Sequence, residues 1–196
     1  MMLFIVLPDV TVDDSLLSRI QRGEQDAVLE VYETYFDSLY HYVRLKAGDA
    51  AVAEDIVSDV FVKLMEAIGT KSAPHSHLRG WLFQVARHLL YQHYGRNQSV
   101  SLTQLEDWMP ASPDLNPEVQ TAQLFDMQRL RHAMRMLNGD HQEVILLRFG
   151  QHLSLQETAD IMGKSVSAIK SLQFRAVDNL RNILNPTDSP EENHAG

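Results

Sequence analysis

The chain has 196 residues, contains no cysteine and carries a formal net charge of −9. The lack of cysteine excludes disulfides and thiolate chemistry, and no apolar run reaches the roughly 18–20 residues of a membrane helix, so we expect a cytoplasmic protein without membrane insertion. The negative charge argues against nucleic acid as a partner, but it is unevenly distributed. Residues 1–66 carry −8, whereas residues 67–97 carry +4 and contain no acid. This asymmetry predicts two different kinds of partner for one chain.

The spacing of apolar residues predicts four helices in the first half of the chain. A short helix over 13–22 is expected to end at Gly23. A long amphipathic helix then begins at Glu24, and a third helix carries an apolar stripe over 56–68. The fourth helix is expected to span 78–94, with an inner face formed by Leu82, Val85, Ala86 and Leu89.

The second half of the chain is predicted to begin with a linker. Residues 95–117 contain Gly, Asn, Ser and three prolines with weak periodicity, which is typical of a flexible tether. Asn116 and Pro117 then have the pattern of a helix start, and three more helices are predicted at about 140–149, 154–162 and 165–184. We therefore expect an all-α protein with two small helical domains. The predicted segments are an N-terminal extension (1–11), a first domain (12–96), a flexible linker (97–117), a second domain (118–185) and a disordered tail (186–196).

A helix–turn–helix is the most specific motif in the predicted second domain. Ser154 and Glu157 have the spacing of a capping box, Gly163 permits a tight turn, and Ser165 caps the next helix. Hydroxyls and cations on the outer face of a capped helix suit the major groove of DNA, because cations meet phosphates while Ser and Arg reach base edges. A plain helical hairpin with a solvated outer face is the alternative. The residues expected to contact DNA are Lys164, Ser165, Ser167, Lys170, Ser171 and Arg175.

Two surfaces of the predicted first domain carry distinctive side chains. An acidic edge on the third helix lies opposite its apolar stripe and would meet a basic helix of a partner, unless it is only a solvated face. The fourth helix mixes cations (Arg79, Arg87 and Arg96) with aromatic residues (Trp81, Phe83, Tyr91 and Tyr94), a pattern that suits single-stranded DNA because bases stack on rings. The loop over 72–77 is placed to help form a pocket for a flipped base. The acidic edge consists of Asp55, Asp59, Val62 and Glu66.

Three segments resemble the extracytoplasmic-function family of bacterial RNA polymerase sigma factors. Residues 153–171 (LSLQETADIMGKSVSAIKS) are similar to the promoter-binding domain at the carboxyl end of that family. Residues 53–64 (AEDIVSDVFVKL) resemble its polymerase-docking helix, and residues 78–90 (LRGWLFQVARHLL) resemble its promoter-melting helix. The chain departs from the family at Ser58-Asp59, where Gln-Glu is usual, and at Leu172, where Arg is frequent.

The resemblance implies a factor that directs promoter-specific transcription initiation, with no enzymatic activity and no cofactor or metal. The first domain would hold the clamp of the largest polymerase subunit and the minus-ten element, and the second would hold the polymerase flap and read the minus-thirty-five element. An anti-sigma factor is a further expected partner. The residues assigned to minus-ten recognition and melting are Ser72, Arg79, Trp81, Gln84, Arg87, His88 and Tyr91.

Two other classes of function, a metal site or enzyme and a conventional transcriptional regulator, fit the sequence less well. The closest histidine pairs, His75 with His77 and His88 with His93, have poor spacing for a metal site, and no nucleotide-binding or hydrolase motif occurs. The alternative to a sigma factor is a helix–turn–helix transcriptional regulator with a helical sensing or dimerisation domain. That alternative leaves the acidic edge and the basic aromatic helix without a role.

Overall fold

The computed structural model describes residues 10–95 and 117–185, and all regular secondary structure in these two ranges is helical. The predicted linker, tail and N-terminal extension fall almost entirely outside these ranges, as does the predicted cap Asn116. The all-α prediction with two helical regions is confirmed. The α-helices are α1 (Val10–Gln21), α2 (Gln25–Ala47), α3 (Ala50–Ala67), α4 (Leu78–Tyr94), α5 (Pro117–Met136), α6 (Gly139–Ile145), α7 (Leu155–Met162) and α8 (Val166–Leu184).

The first helical region, residues 10–95, is organised around the long helix α2. This helix ends at Gly48, whose φ of +73° places it in the left-handed conformation that glycine adopts without strain. Asp49 follows immediately and caps α3, because its side chain accepts a hydrogen bond from the amide of Val52 at 3.0 Å. The aromatic rings of Tyr42 on α2 and Phe83 on α4 meet edge to face in the core, with ring centroids 5.3 Å apart. The caps and the core together fix how α3 and α4 pack against α2.

The second helical region, residues 117–185, contains the predicted helix–turn–helix and one departure from prediction. The single helix expected at about 140–149 is α-helical only as far as Ile145 and then widens into a π-helical turn, Leu146–Gly150. The amide of Gln151 donates to the carbonyl of Leu146 at 2.9 Å, five residues back, which is the hydrogen bond of a π-helix. Apolar periodicity does not distinguish an α-helical turn from a π-helical turn, so this change was not predictable from the sequence.

The buried apolar side chains of the two regions belong to one continuous cluster. It includes Leu82 and Phe83 of α4 as well as Leu146 and Ile161 of the second region. Hydrogen bonds also join the two regions directly, from Tyr42 to Glu143 and from Arg79 to Glu157. Within the described ranges, no helix is both long enough and apolar enough to cross a membrane.

Candidate functional site

The helix–turn–helix consists of α7 and α8 and is capped as the sequence predicts. Ser154 accepts from the amide of Glu157 at 3.1 Å, and the Glu157 carboxylate accepts from the amide of Ser154 at 2.7 Å, which completes the capping box. Gly163 ends α7 with a φ of +64°. Ser165 then caps α8 by accepting from the amide of Ala168 at 3.2 Å. The two caps fix the start of each helix.

The outer face of α8 and the two residues that precede it carry the side chains predicted to contact DNA. All six are exposed: Lys164, Ser165, Ser167, Lys170, Ser171 and Arg175. The opposite face, with Ile169, Leu172 and Ala176, is buried. Leu172 is therefore a core residue, which accounts for an apolar side chain at this position. Sequence reasoning missed Phe174, which is 73% exposed and shares the outer face with Lys170 and Ser171.

The acidic edge of α3 is also free of the core. Asp55, Asp59, Val62 and Glu66 are all exposed, opposite the buried stripe of the same helix. Glu66 has a surface ion pair with Lys63 at 3.2 Å. The neighbouring Met65 is 54% exposed, an apolar contribution to this surface that was not singled out from the sequence.

The seven residues assigned to minus-ten DNA lie on α4 and the loop before it, but they do not share one environment. Ser72 and His88 are exposed, and Trp81 is half-buried. Arg79, Gln84, Arg87 and Tyr91 form hydrogen bonds with the second helical region. Phe83, which the sequence grouped with the DNA-facing aromatic residues, is only 1% exposed. Its ring packs on Tyr42, so that part of the prediction is wrong.

Glu143 of α6 is the centre of a buried charge cluster between the two regions. Its side chain is 2% exposed and accepts hydrogen bonds from the hydroxyls of Tyr42 at 2.8 Å and Tyr91 at 3.0 Å. The ammonium of Lys46 lies 2.9 Å from the same carboxylate, and Nε of Arg87 lies 3.1 Å from it. All four partners belong to the first region, so this one carboxylate joins α6 to both α2 and α4.

The pKa values in this cluster show which interaction dominates at each group. Burial acts to raise the pKa of Glu143, but the attraction of Lys46 and Arg87 outweighs it, and the pKa lies below its ordinary value. Burial lowers the pKa of Lys46 despite the neighbouring carboxylate. Burial, reinforced by Glu143, raises the pKa of Tyr91 to about 12. The carboxylate is therefore ionised at neutral pH and the phenol remains a hydrogen-bond donor.

A second ion pair joins α4 to the helix–turn–helix. Arg79 donates from Nε and Nη2 to the two oxygens of Glu157, both at 2.9 Å, in the bidentate geometry that guanidinium and carboxylate groups favour. Nearby, the side-chain amide of Gln84 donates to the backbone carbonyl of Asp160 at 3.3 Å. Glu157 thus has two roles, because it completes the α7 capping box and binds a cation of the first region. The sequence revealed only the first role.

Comparison with known proteins identifies both helical regions. Residues 31–100 match the family model described as Sigma-70 region 2, and residues 133–182 match Sigma-70, region 4. The chain is 36% identical over 175 residues to the ECF RNA polymerase sigma factor BldN of Streptomyces coelicolor, covering 89% of this chain and 66% of BldN. It is 28% identical over 170 residues to the RNA polymerase sigma factor YlaC of Bacillus subtilis, covering 86% of this chain and 96% of YlaC.

A solved structure is similar as well. The sigma factor RpoE in its complex with the anti-sigma factor NepR from Bartonella quintana is 25% identical to this chain, with a TM-score of 0.55. The similarity covers 82% of this chain and 97% of that one.

The chain belongs to the extracytoplasmic-function family of RNA polymerase sigma factors, and it contains sigma-70 regions 2 and 4. It directs promoter-specific transcription initiation by RNA polymerase, in a family without enzymatic activity. A transcriptional regulator with a single DNA-binding domain does not account for the match to region 2.

Proposed function

We propose that the two helical regions divide promoter recognition between them, with domain boundaries at 12–96 and 118–185. The observation that carries this division is the outer face of α8 together with its N-cap and the residue before it, where six polar or cationic side chains are exposed opposite a buried apolar face. A rigid capped helix with this face fits the major groove, where it would read the minus-thirty-five element.

Within that face, cations and hydroxyls would have different roles. Lys164 and Lys170 would contact phosphates, which positions the helix without reading sequence. Arg175 and the serines Ser167 and Ser171 would reach base edges, and a good bidentate contact contributes about 1–3 kcal/mol of discrimination. The second region would also contact the polymerase flap.

The first region would carry docking and promoter melting. The acidic edge of α3, with Asp55, Asp59, Val62 and Glu66, would bind a basic helix of the polymerase clamp. Helix α4 and the preceding loop would hold the melted minus-ten strand, with Trp81 as a stacking surface and Arg79 and Arg87 near phosphates. The exposed positions of His88 and Ser72 support a direct contact with unstacked bases.

An anti-sigma factor is the expected regulatory partner, in keeping with the complex of RpoE with the anti-sigma factor NepR. Such a partner would have to cover the DNA-facing surfaces of α4 and α8. Core RNA polymerase and promoter DNA are bacterial cytoplasmic components, so we also propose a cytoplasmic location.

Initiation from two templates tests the division between α4 and α8. On a fully duplex promoter, Trp81→Ala and Arg175→Ala should both reduce run-off transcription by core enzyme, because each loses a contact that contributes about 1–3 kcal/mol. On a template with a pre-melted bubble over the minus-ten region, activity of Trp81→Ala should largely recover, whereas that of Arg175→Ala should not. Rescue of Arg175→Ala alone, or equal rescue of both, would mean that the assignment is reversed or wrong.

A further inference from the structure

The side chains of α4 that would bind melted DNA are largely occupied by the second helical region. Arg79 is held by Glu157, Arg87 and Tyr91 by Glu143, and Gln84 by a backbone carbonyl of α7. The side chains of Arg79 and Arg87 are only 13% and 18% exposed. A DNA strand could not reach these two guanidinium groups without displacing the second region.

The carboxylates at this contact would compete with DNA phosphates for the same cations of α4. Residues 67–97 contain four cations and no acid, so the carboxylates that neutralise them must come from elsewhere in the chain. Glu143 and Glu157 supply negative oxygens at hydrogen-bond distance from the two guanidinium groups, where DNA phosphates would otherwise sit. Phosphate and carboxylate cannot occupy the same guanidinium fork at once.

The masking is selective. The acidic edge of α3 is exposed in the same structure, and so are all six predicted DNA contacts of the helix–turn–helix. The closed arrangement therefore leaves the proposed polymerase-docking and upstream-recognition surfaces accessible. On the proposed melting surface it covers the guanidinium groups of Arg79 and Arg87, while Ser72 and His88 stay exposed. The 21 residues 96–116 that join the regions could span up to about 70 Å if extended, which is ample for the regions to separate.

We propose that Glu143 and Glu157 form an autoinhibitory contact that masks the melting surface of α4, and that α4 binds single-stranded DNA only after the two regions separate. This inference rests on the proposed role of α4. In a closed-open equilibrium, the apparent affinity for DNA is reduced by the fraction of open chains. Free protein should therefore bind single strands poorly, and loss of the two carboxylate charges should strengthen binding.

The test compares the wild-type chain with Glu143→Gln plus Glu157→Gln. Glutamine preserves side-chain size, and at the third position of α7 it can still complete the capping box. Because the natural chain has no cysteine, Ala51→Cys and Asn182→Cys allow dye labelling of two exposed positions, one in each region. Energy transfer between the dyes reports separation. Anisotropy of a labelled oligothymidylate of about 20 nucleotides reports single-strand binding.

A matched control is Glu30→Gln plus Asp178→Asn, which changes the net charge equally. Both residues belong to exposed ion pairs within their own regions, with Arg19 and Arg181 respectively. The contact variant should show lower energy transfer and at least about tenfold tighter oligonucleotide binding, whereas the control should stay within about twofold of wild type. An equal increase in oligonucleotide affinity in both variants would show that the change in net charge alone causes the effect, and this would overturn the proposal.

The remaining outcomes distinguish a failure of the autoinhibitory contact from a failure of the proposed DNA-binding role of α4. Unchanged energy transfer and affinity in a folded contact variant would show that the carboxylates do not hold the regions together. Separation without tighter binding, with no further effect of Trp81→Ala, would show that α4 does not bind single strands and would refute the proposed role itself. If circular dichroism shows that the double variant does not fold, Glu157→Gln alone should change both readouts in the same directions, and a lack of change would overturn the proposal.

Discussion

Charge reversal on the acidic edge of α3 should weaken binding to core RNA polymerase while leaving the fold intact. The perturbation is Asp55→Arg combined with Asp59→Arg. Both side chains are exposed, and in the described part of the chain neither carboxylate has a hydrogen-bond or ion-pair partner. Their replacement therefore removes no intramolecular contact that the structure shows.

The expected cost to stability is small. The new arginines would lie four residues apart, and the second would lie four residues before Lys63. Like charges at this spacing on a helix cost about 0.2–0.5 kcal/mol for each pair, so the total should stay below about 1 kcal/mol. For a chain of this size that corresponds to a fall of about 2–4 °C in Tm.

The expected cost to binding is larger. An exposed ion pair contributes about 0.2–1 kcal/mol, and reversal replaces that attraction with a repulsion of similar size. Two reversed positions should therefore cost about 2 kcal/mol, which raises Kd by roughly 30-fold. The loss should shrink as salt is added, because the Debye length falls to about 10 Å at 0.1 M.

Titration of a dye-labelled chain with core polymerase at low and high salt, followed by anisotropy, measures this effect. Glu33→Arg with Asp37→Arg is the matched control, since both residues are exposed on α2 with the same spacing and charge change. Wild-type affinity in the α3 variant, or an equal loss in the α2 control, would refute docking through this edge.

Two further predictions concern the caps and the contact between regions. Ser154→Ala removes the N-cap of α7, which should lower the free energy of unfolding by about 1 kcal/mol and Tm by about 2–4 °C. Ser154→Asp should largely preserve stability, because aspartate is also a good N-cap. Thermal unfolding followed by circular dichroism distinguishes the two variants. The pKa of Glu143 lies below its ordinary value of 4.5. The stabilisation from its ionised form is therefore fully present above pH 4.5 and is lost as the pH falls through the lowered pKa. Energy transfer between the two regions should fall only in that acid range, and a decline that begins well above pH 4.5 would contradict this assignment.

The sequence alone determined where most of the helices lie, and several of their ends, because both depend on local interactions. The apolar period of α4 predicted its bounds, Leu78–Tyr94, as the structure has them. The capping box of Ser154 and Glu157 was predictable because its two hydrogen bonds join residues three positions apart. The exposed face of α8 followed from the same periodicity.

Only the tertiary structure decided which polar groups meet. Glu143 bonds to Tyr42, 101 residues away, and Glu157 to Arg79, 78 residues away, and such pairs depend on how distant helices pack. Sequence reasoning found Glu157 as a cap and Arg79 as a DNA contact without relating them. It likewise included Phe83 among the aromatic residues whose pattern suits single-stranded DNA, whereas packing on Tyr42 places it in the core. Local periodicity assigns a side chain to a helix face, but the neighbouring helix determines whether that face meets water, DNA or the rest of the chain.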